Sequence, residues 1–178
     1  MNEAALLPIT FAIAVRALID VARVKAQQNV LVQAGGTKIG RAAVLIASAS
    51  NAVVYATAHD AEEAEHLESL GLPRRHILIE GDPDLPAATQ ILTGTRGWDI
   101  IVRTSKPIGG ACLLSKSVAT SGVVIDLHSS GDPDCAAEAN ISVMGIGSLL
   151  PEDPVLMKKT LTRGGEVSAS AICIGRVF

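Results

Sequence analysis

Residues Val30–Ala47 read VLVQAGGTKIGRAAVLIA. A short apolar run gives way to a turn carrying Gly35, Gly36 and Gly40, and the turn opens into an apolar, helix-forming stretch. A strand, a glycine turn and a helix in this order are the opening unit of a parallel sheet. There the glycines let the backbone pass close to a neighbour, or to a phosphate held at the helix N-terminus. A Walker A loop is a different pattern, because Gly40 is followed by Arg41 and Ala42 and not by Lys and Ser or Thr.

Outward from this unit, short apolar runs alternate with helix-like stretches. Strands are predicted at Asn29–Gln33, Ala52–Thr57, His76–Glu80, Asp99–Arg103, Gly122–Leu127 and Ile141–Gly147. Helices are predicted from Ile39, from Asp60, from about Asp84 and from about Gly109, with a leading helix over Thr10–Val24. The stretch from Asp60 has an acidic first turn that suits the helix dipole, and Gly71 closes it. The expectation is an α/β, Rossmann-type, doubly wound and mostly parallel six-stranded sheet with helices on both faces. It is read as a single domain over 1–178, with a leading helix in 1–28, the βα core in 29–148 and a C-terminal helix and tail in 149–178.

Composition agrees with this reading. Of 178 residues, 48% are apolar and only 2% aromatic, so Ala, Val, Ile and Leu must fill the core, as they do between helices and a buried parallel sheet. A net charge of -3 with no basic cluster, and only four aromatic rings to stack on bases, argue against nucleic-acid binding. Cys112, Cys135 and Cys173 are odd in number and widely spaced, as expected of reduced thiols, and neither they nor the four scattered histidines form a metal-ligand pattern. The N-terminal apolar run is broken by Pro8 and Arg16 and is too short to span a bilayer, so a cytoplasmic protein without membrane attachment is expected.

Taken in order, LPITFAIAVRALIDVARV, NVLVQAGGTKIGRAAVLIA, HLESLGLPRRHIL, GTRGWDIIV and SGVVIDL resemble the enoyl reductase domain of highly reducing polyketide synthases, within the medium-chain dehydrogenase/reductase family. The resemblance implies hydride transfer from NADPH to an enoyl thioester on a carrier protein. It also implies a second, substrate-binding half, which has no counterpart in this sequence.

Set against the family's pattern, the site has changed in three places. Two glycines of the family's turn are replaced by Thr37 and Lys38, while Gly35, Gly36, Ile39 and Gly40 keep the turn. A positive φ at Thr37 would strain the backbone by about 1–2 kcal/mol, its side chain would fill phosphate space, and Lys38 would offset part of that loss. The second strand ends at Thr57, which is taken with the turn as a vestigial cofactor contact, and after it the family's Ser and Lys for the 2′-phosphate become Asp60 and Glu63. A carboxylate about 5–6 Å from a phosphate charge repels it by roughly 1–3 kcal/mol. Two plainer readings stay open there: a solvated acidic cap, or Asp60 holding the ribose diol of NAD. After the fourth strand the family's Asn-Ser-Leu beside the nicotinamide becomes Arg103, Thr104 and Ser105, and its lysine falls at Gly109 or Gly110.

The expectation is therefore a non-catalytic pseudo-enoyl-reductase domain with no catalytic residue and no metal. It would hold no cofactor, or NADPH or NADH where the site survives. Its partners would be other domains of the same synthase, a second copy paired through the Ile141–Leu149 edge strand, and a separate enoyl reductase acting in trans. The alternative is the nucleotide-binding half of an active NADPH-dependent enoyl reductase.

Overall fold

The computed structural model describes residues 3–105 and 117–127, and Thr162. Five strands lie among them: β1 (Asn29–Gln33), β2 (Val53–Ala58), β3 (Ile77–Ile79), β4 (Trp98–Arg103) and β5 (Val118–Asp126). All pair in parallel, in the order β3-β2-β1-β4-β5. The helices are α1 (Glu3–Val15), α2 (Lys38–Ala49), α3 (Ala61–Ser69) and α4 (Leu85–Leu92). The sixth strand expected at Ile141–Gly147, the helix from about Gly109, the tail after Pro151 and the Ile141–Leu149 dimer edge all lie outside the described residues.

Strand order reverses between β1 and β4, and in open α/β sheets this switch point is where the carboxyl ends of two strands leave a crevice. Each strand sends alternate side chains to opposite faces. One face packs Val30, Val32, Val54, Ala56, Ile100, Val102 and Ile125 against α1, α2 and α3. The other carries Leu31, Tyr55, Trp98, Ile101 and Val124, covered in part by Leu85 and Leu92 of α4. There the Tyr55 ring stacks on His76 at 4.3 Å and meets Trp98 edge-on at 4.9 Å.

Two elements differ from the sequence expectation. The leading helix starts at Glu3, not Thr10, and after Val15 it widens into a π-helical segment, Arg16–Val21. The Ala22 N–H reaches back five residues to the Ala17 carbonyl at 2.9 Å. Ala17 and Leu18 are fully buried in this wider turn, in the same core as Val44 and Ile46 of α2. β5 begins at Val118, four residues earlier than expected. It advances from Val118 to Val123 while β4 advances only from Trp98 to Ile100, so the extra residues bulge out. Gly122 permits this, since a Cβ there would lie 2.6 Å from the Trp98 carbonyl oxygen.

Candidate functional site

β1 ends at Gln33, and the residue that takes the left-handed conformation is Ala34, at φ +52. Thr37 is therefore unstrained, at φ -66 and ψ 159, which corrects the expected cost at that position. It is the N-cap of α2. Its hydroxyl accepts from the Gly40 N–H at 3.0 Å and donates to the Ala34 carbonyl at 2.9 Å, and it lies 2.9 Å from the Thr104 hydroxyl. The side chain is thus drawn back toward the strand tips. Thr104, at the end of β4, also reaches the Gln33 and Ala34 carbonyls at 2.8 and 3.0 Å. This hydroxyl pair fastens β4 to the glycine turn across the switch point.

Each glycine of the turn has its own neighbour. A Cβ on Gly35 would lie 2.9 Å from the Ala56 Cβ, and one on Gly40 would lie 2.5 Å from the Ala34 carbonyl oxygen. Both are needed for close packing of the turn on β2 and of α2 on the turn. A Cβ on Gly36 would instead lie 2.6 Å from both carboxylate oxygens of Glu63. Lys38 opens α2 and is exposed, and the half-buried Ile39 packs on the core below.

Asp60 is the N-cap of α3, its Oδ1 accepting from the Glu63 N–H at 2.8 Å. Glu63 returns the contact one residue further back, its Oε2 accepting from the His59 N–H at 2.9 Å. This is a capping box with its second bond shifted to the preceding residue. It holds the Glu63 carboxylate over Gly36. Beside it runs a cleft of about 630 Å³ lined by Gly36, Arg41, Asp60, Glu62, Glu63, Glu65, His66 and Ser69. The Arg41 guanidinium lies 2.8 Å from the His66 ring, so four carboxylates face one guanidinium that already has a partner.

On the α4 face of the sheet a buried polar row crosses four strands: Thr57, Gln33, Arg103 and Asp126. Register places Gln33 beside Arg103 and Arg103 beside Asp126. The Thr57 hydroxyl accepts from the Ala34 N–H at 2.8 Å and donates to Glu80 at 2.6 Å, so this sequence-predicted residue supports the turn from below. Arg103 and Asp126 form an ion pair at 3.5 Å with side chains 3% and 4% exposed. The Arg103 Nε and Nη2 groups are buried without a hydrogen-bond partner. Asp126 and Glu80 were not among the sequence-predicted binding residues, and Thr104 was read only as a replacement beside the nicotinamide. Polar side chains on the last residues of apolar strands were the available signal.

A parallel sheet of this order, with a glycine turn and a capped helix at its switch point, has the architecture of the doubly wound Rossmann-type fold. The relatives and neighbours narrow that class. No family model matches the sequence. Highly reducing polyketide synthase 40 of Fusarium pseudograminearum is 36% identical over 98 residues, 55% of this chain and 4% of that protein. Reducing polyketide synthase rads1 of Floropilus chiversii is 31% identical over 176 residues, 93% of this chain and 7% of that protein. Among solved structures, the CurK enoyl reductase superposes with a TM-score of 0.80 at 23% identity, over 94% of this chain and 51% of that one. A chain described as an enoyl reductase domain of a polyketide synthase gives 0.74 at 24% identity, over 92% and 93%. The homologues are thus highly reducing polyketide synthases, and the fold is that of their enoyl reductase domains. The chain spans only 4 and 7% of those two synthases. Among the described residues no helix is long and apolar enough to cross a membrane.

Proposed function

We propose that this chain is the nucleotide-binding half of an enoyl-reductase-like domain in a reducing polyketide synthase, and that it does not reduce enoyl thioesters with NADPH. Its role is structural: it gives neighbouring domains, a second copy, or a separate reductase acting in trans a surface to dock on.

The observation that carries this reading is the buried Arg103–Asp126 ion pair at the ends of β4 and β5. In the family this chain resembles, the end of the fourth strand flanks the nicotinamide. Hydride departure leaves a cationic ring, and among the described residues the one carboxylate at that strand end, Asp126, is already engaged by the Arg103 guanidinium and is not free to stabilise the developing charge. Reduction of an enoyl thioester also needs a proton donor, and neither a guanidinium nor the neighbouring Thr104 hydroxyl gives up a proton readily near neutrality.

The implied dinucleotide fits in part. Gly35 and Gly40 keep the turn tight, and the unstrained Thr37 leaves the helix N-terminus properly capped. A 2′-phosphate does not fit the carboxylates of Asp60, Glu62, Glu63 and Glu65. The intact turn is what favours the second reading, an active half that needs a substrate-binding partner.

Deuteride transfer separates the two when it is measured in the parent synthase, because the half alone would transfer nothing on either reading. The synthase is incubated with 4-deuterated NADPH and crotonyl-pantetheine, and the thioester is analysed by mass spectrometry. No deuterium above the enzyme-free control is expected, and enzyme-dependent incorporation would overturn the proposal.

A further inference from the structure

We infer that the switch point of the sheet holds a small planar carboxylate on Arg103, bound through the guanidinium edge that Asp126 leaves open. The inference goes beyond the structural role proposed above and is independent of whether the domain transfers hydride.

Arg103 is the last residue of β4 and pairs in register with Gln33 of β1, so it stands where the strand order reverses. Its side chain is 3% exposed, and its Nη1 meets Asp126 Oδ2 at 3.5 Å, a long contact for a charged pair. Nε and Nη2 are buried with no hydrogen-bond partner. Nη1 is the nitrogen on the Cδ side of the guanidinium, so Nε and Nη2 share the other edge. The N–H bonds of that edge run parallel and match the two oxygens of one carboxylate.

Two orphaned donors on a single buried cation carry a heavy desolvation penalty, which a bound acceptor removes. Nearby polar groups are committed elsewhere. The Thr104 hydroxyl serves the Gln33 and Ala34 carbonyls, and the Glu80 carboxylate accepts from the Thr57 hydroxyl at 2.6 Å. A water molecule accepts from such an edge but brings no charge, whereas a carboxylate also neutralises a guanidinium that Asp126 reaches only at 3.5 Å. Chloride has no second acceptor for the fork. Sulfate has one, but it carries twice the charge into a buried site beside Asp126.

The test is a thermal-melt titration of the chain with sodium formate, against sodium chloride and sodium sulfate at matched ionic strength. The parent is compared with R103K, which keeps the charge without the fork, and with R103M/D126L, which removes both charges at nearly constant volume and so keeps the fold. Formate at about 10 mM is expected to raise the parent Tm by about 2 °C or more over chloride, and the rise should saturate. R103K loses at least half of that rise, and R103M/D126L loses all of it. No rise over chloride up to about 100 mM formate, an equal rise with sulfate, or a rise unchanged in either variant would overturn the inference. The parent series is decisive by itself, so a variant that fails to fold does not shelter the proposal. The deuteride experiment decides the structural reading separately.

Discussion

Thr37 and Gly40 stand on the same turn and resist substitution for different reasons. Removing the Thr37 hydroxyl takes away the α2 N-cap and the contact with Thr104. T37A is expected to cost about 1 kcal/mol in urea denaturation, the usual value of a threonine cap. T37A and T104A should also be less than additive, since each removes the same hydroxyl contact. G40A is expected to cost more, about 3 kcal/mol, because its Cβ meets the immovable Ala34 carbonyl and Gly35 backbone. G36A meets only the end of the Glu63 side chain, which can swing away, so it should cost about 1 kcal/mol or less. A larger loss in G36A than in G40A would contradict this division of labour. The glycines were legible in the sequence because a strand-to-helix turn needs them. The comfort of Thr37 was not, because which residue takes the positive φ depends on where β1 ends, and here that residue is Ala34. Glu63 was legible as an acid near the site, but its position over Gly36 depends on Asp60 capping the helix, a choice made by backbone geometry.

At the scale of elements, the switch point is closed by polar groups that an apolar strand pattern conceals. Alternation predicted β1, β2 and β4 within a residue at each end, since buried parallel strands read as runs of Val, Ile and Leu. It could not say that the polar residues ending those runs lie in one row across the sheet, because register is set by long-range pairing. Arg103 and Asp126 show the consequence. A buried pair is costly to desolvate yet costly to break, because the survivor is left as an uncompensated charge. D126A is therefore expected to destabilise the chain by about 3–5 kcal/mol. The double variant R103M/D126L, which removes both charges and keeps the volume, should lie within about 1 kcal/mol of the parent or above it. Chemical denaturation of the three proteins measures this, and a double variant as unstable as the single one would mean that the pair itself holds β4 to β5.

For the whole molecule, the leading helix, which the sequence places ahead of the βα core, shares a hydrophobic core with it. It precedes the first strand and the glycine turn, so nothing in the order of elements shows how far it is built in. Yet Phe11, Ile13, Val15 and Leu18 are at most 5% exposed and share one core with Val44 and Ile46 of α2 and with the inner face of the sheet. Burying each large apolar side chain contributes about 1.5–3 kcal/mol, and whole domains are stable by only about 5–15 kcal/mol. Losing several of these side chains together removes a stabilisation comparable to the whole. Deletion of residues 1–21 is accordingly expected to abolish the cooperative thermal transition, leaving α/β circular dichroism in the far ultraviolet with strong binding of a hydrophobic dye. A deletion variant that still melts cooperatively within a few degrees of the parent would show that α2 is covered without the leading helix. Single substitutions set the scale in between: L18A, at a fully buried position in the π-helical turn, should cost about 2–5 kcal/mol, whereas I9A, at a position 40% exposed on the same helix, should cost under about 1 kcal/mol. The contrast distinguishes a helix that belongs to the core on one side from one that merely rests against it, for which both losses would be small.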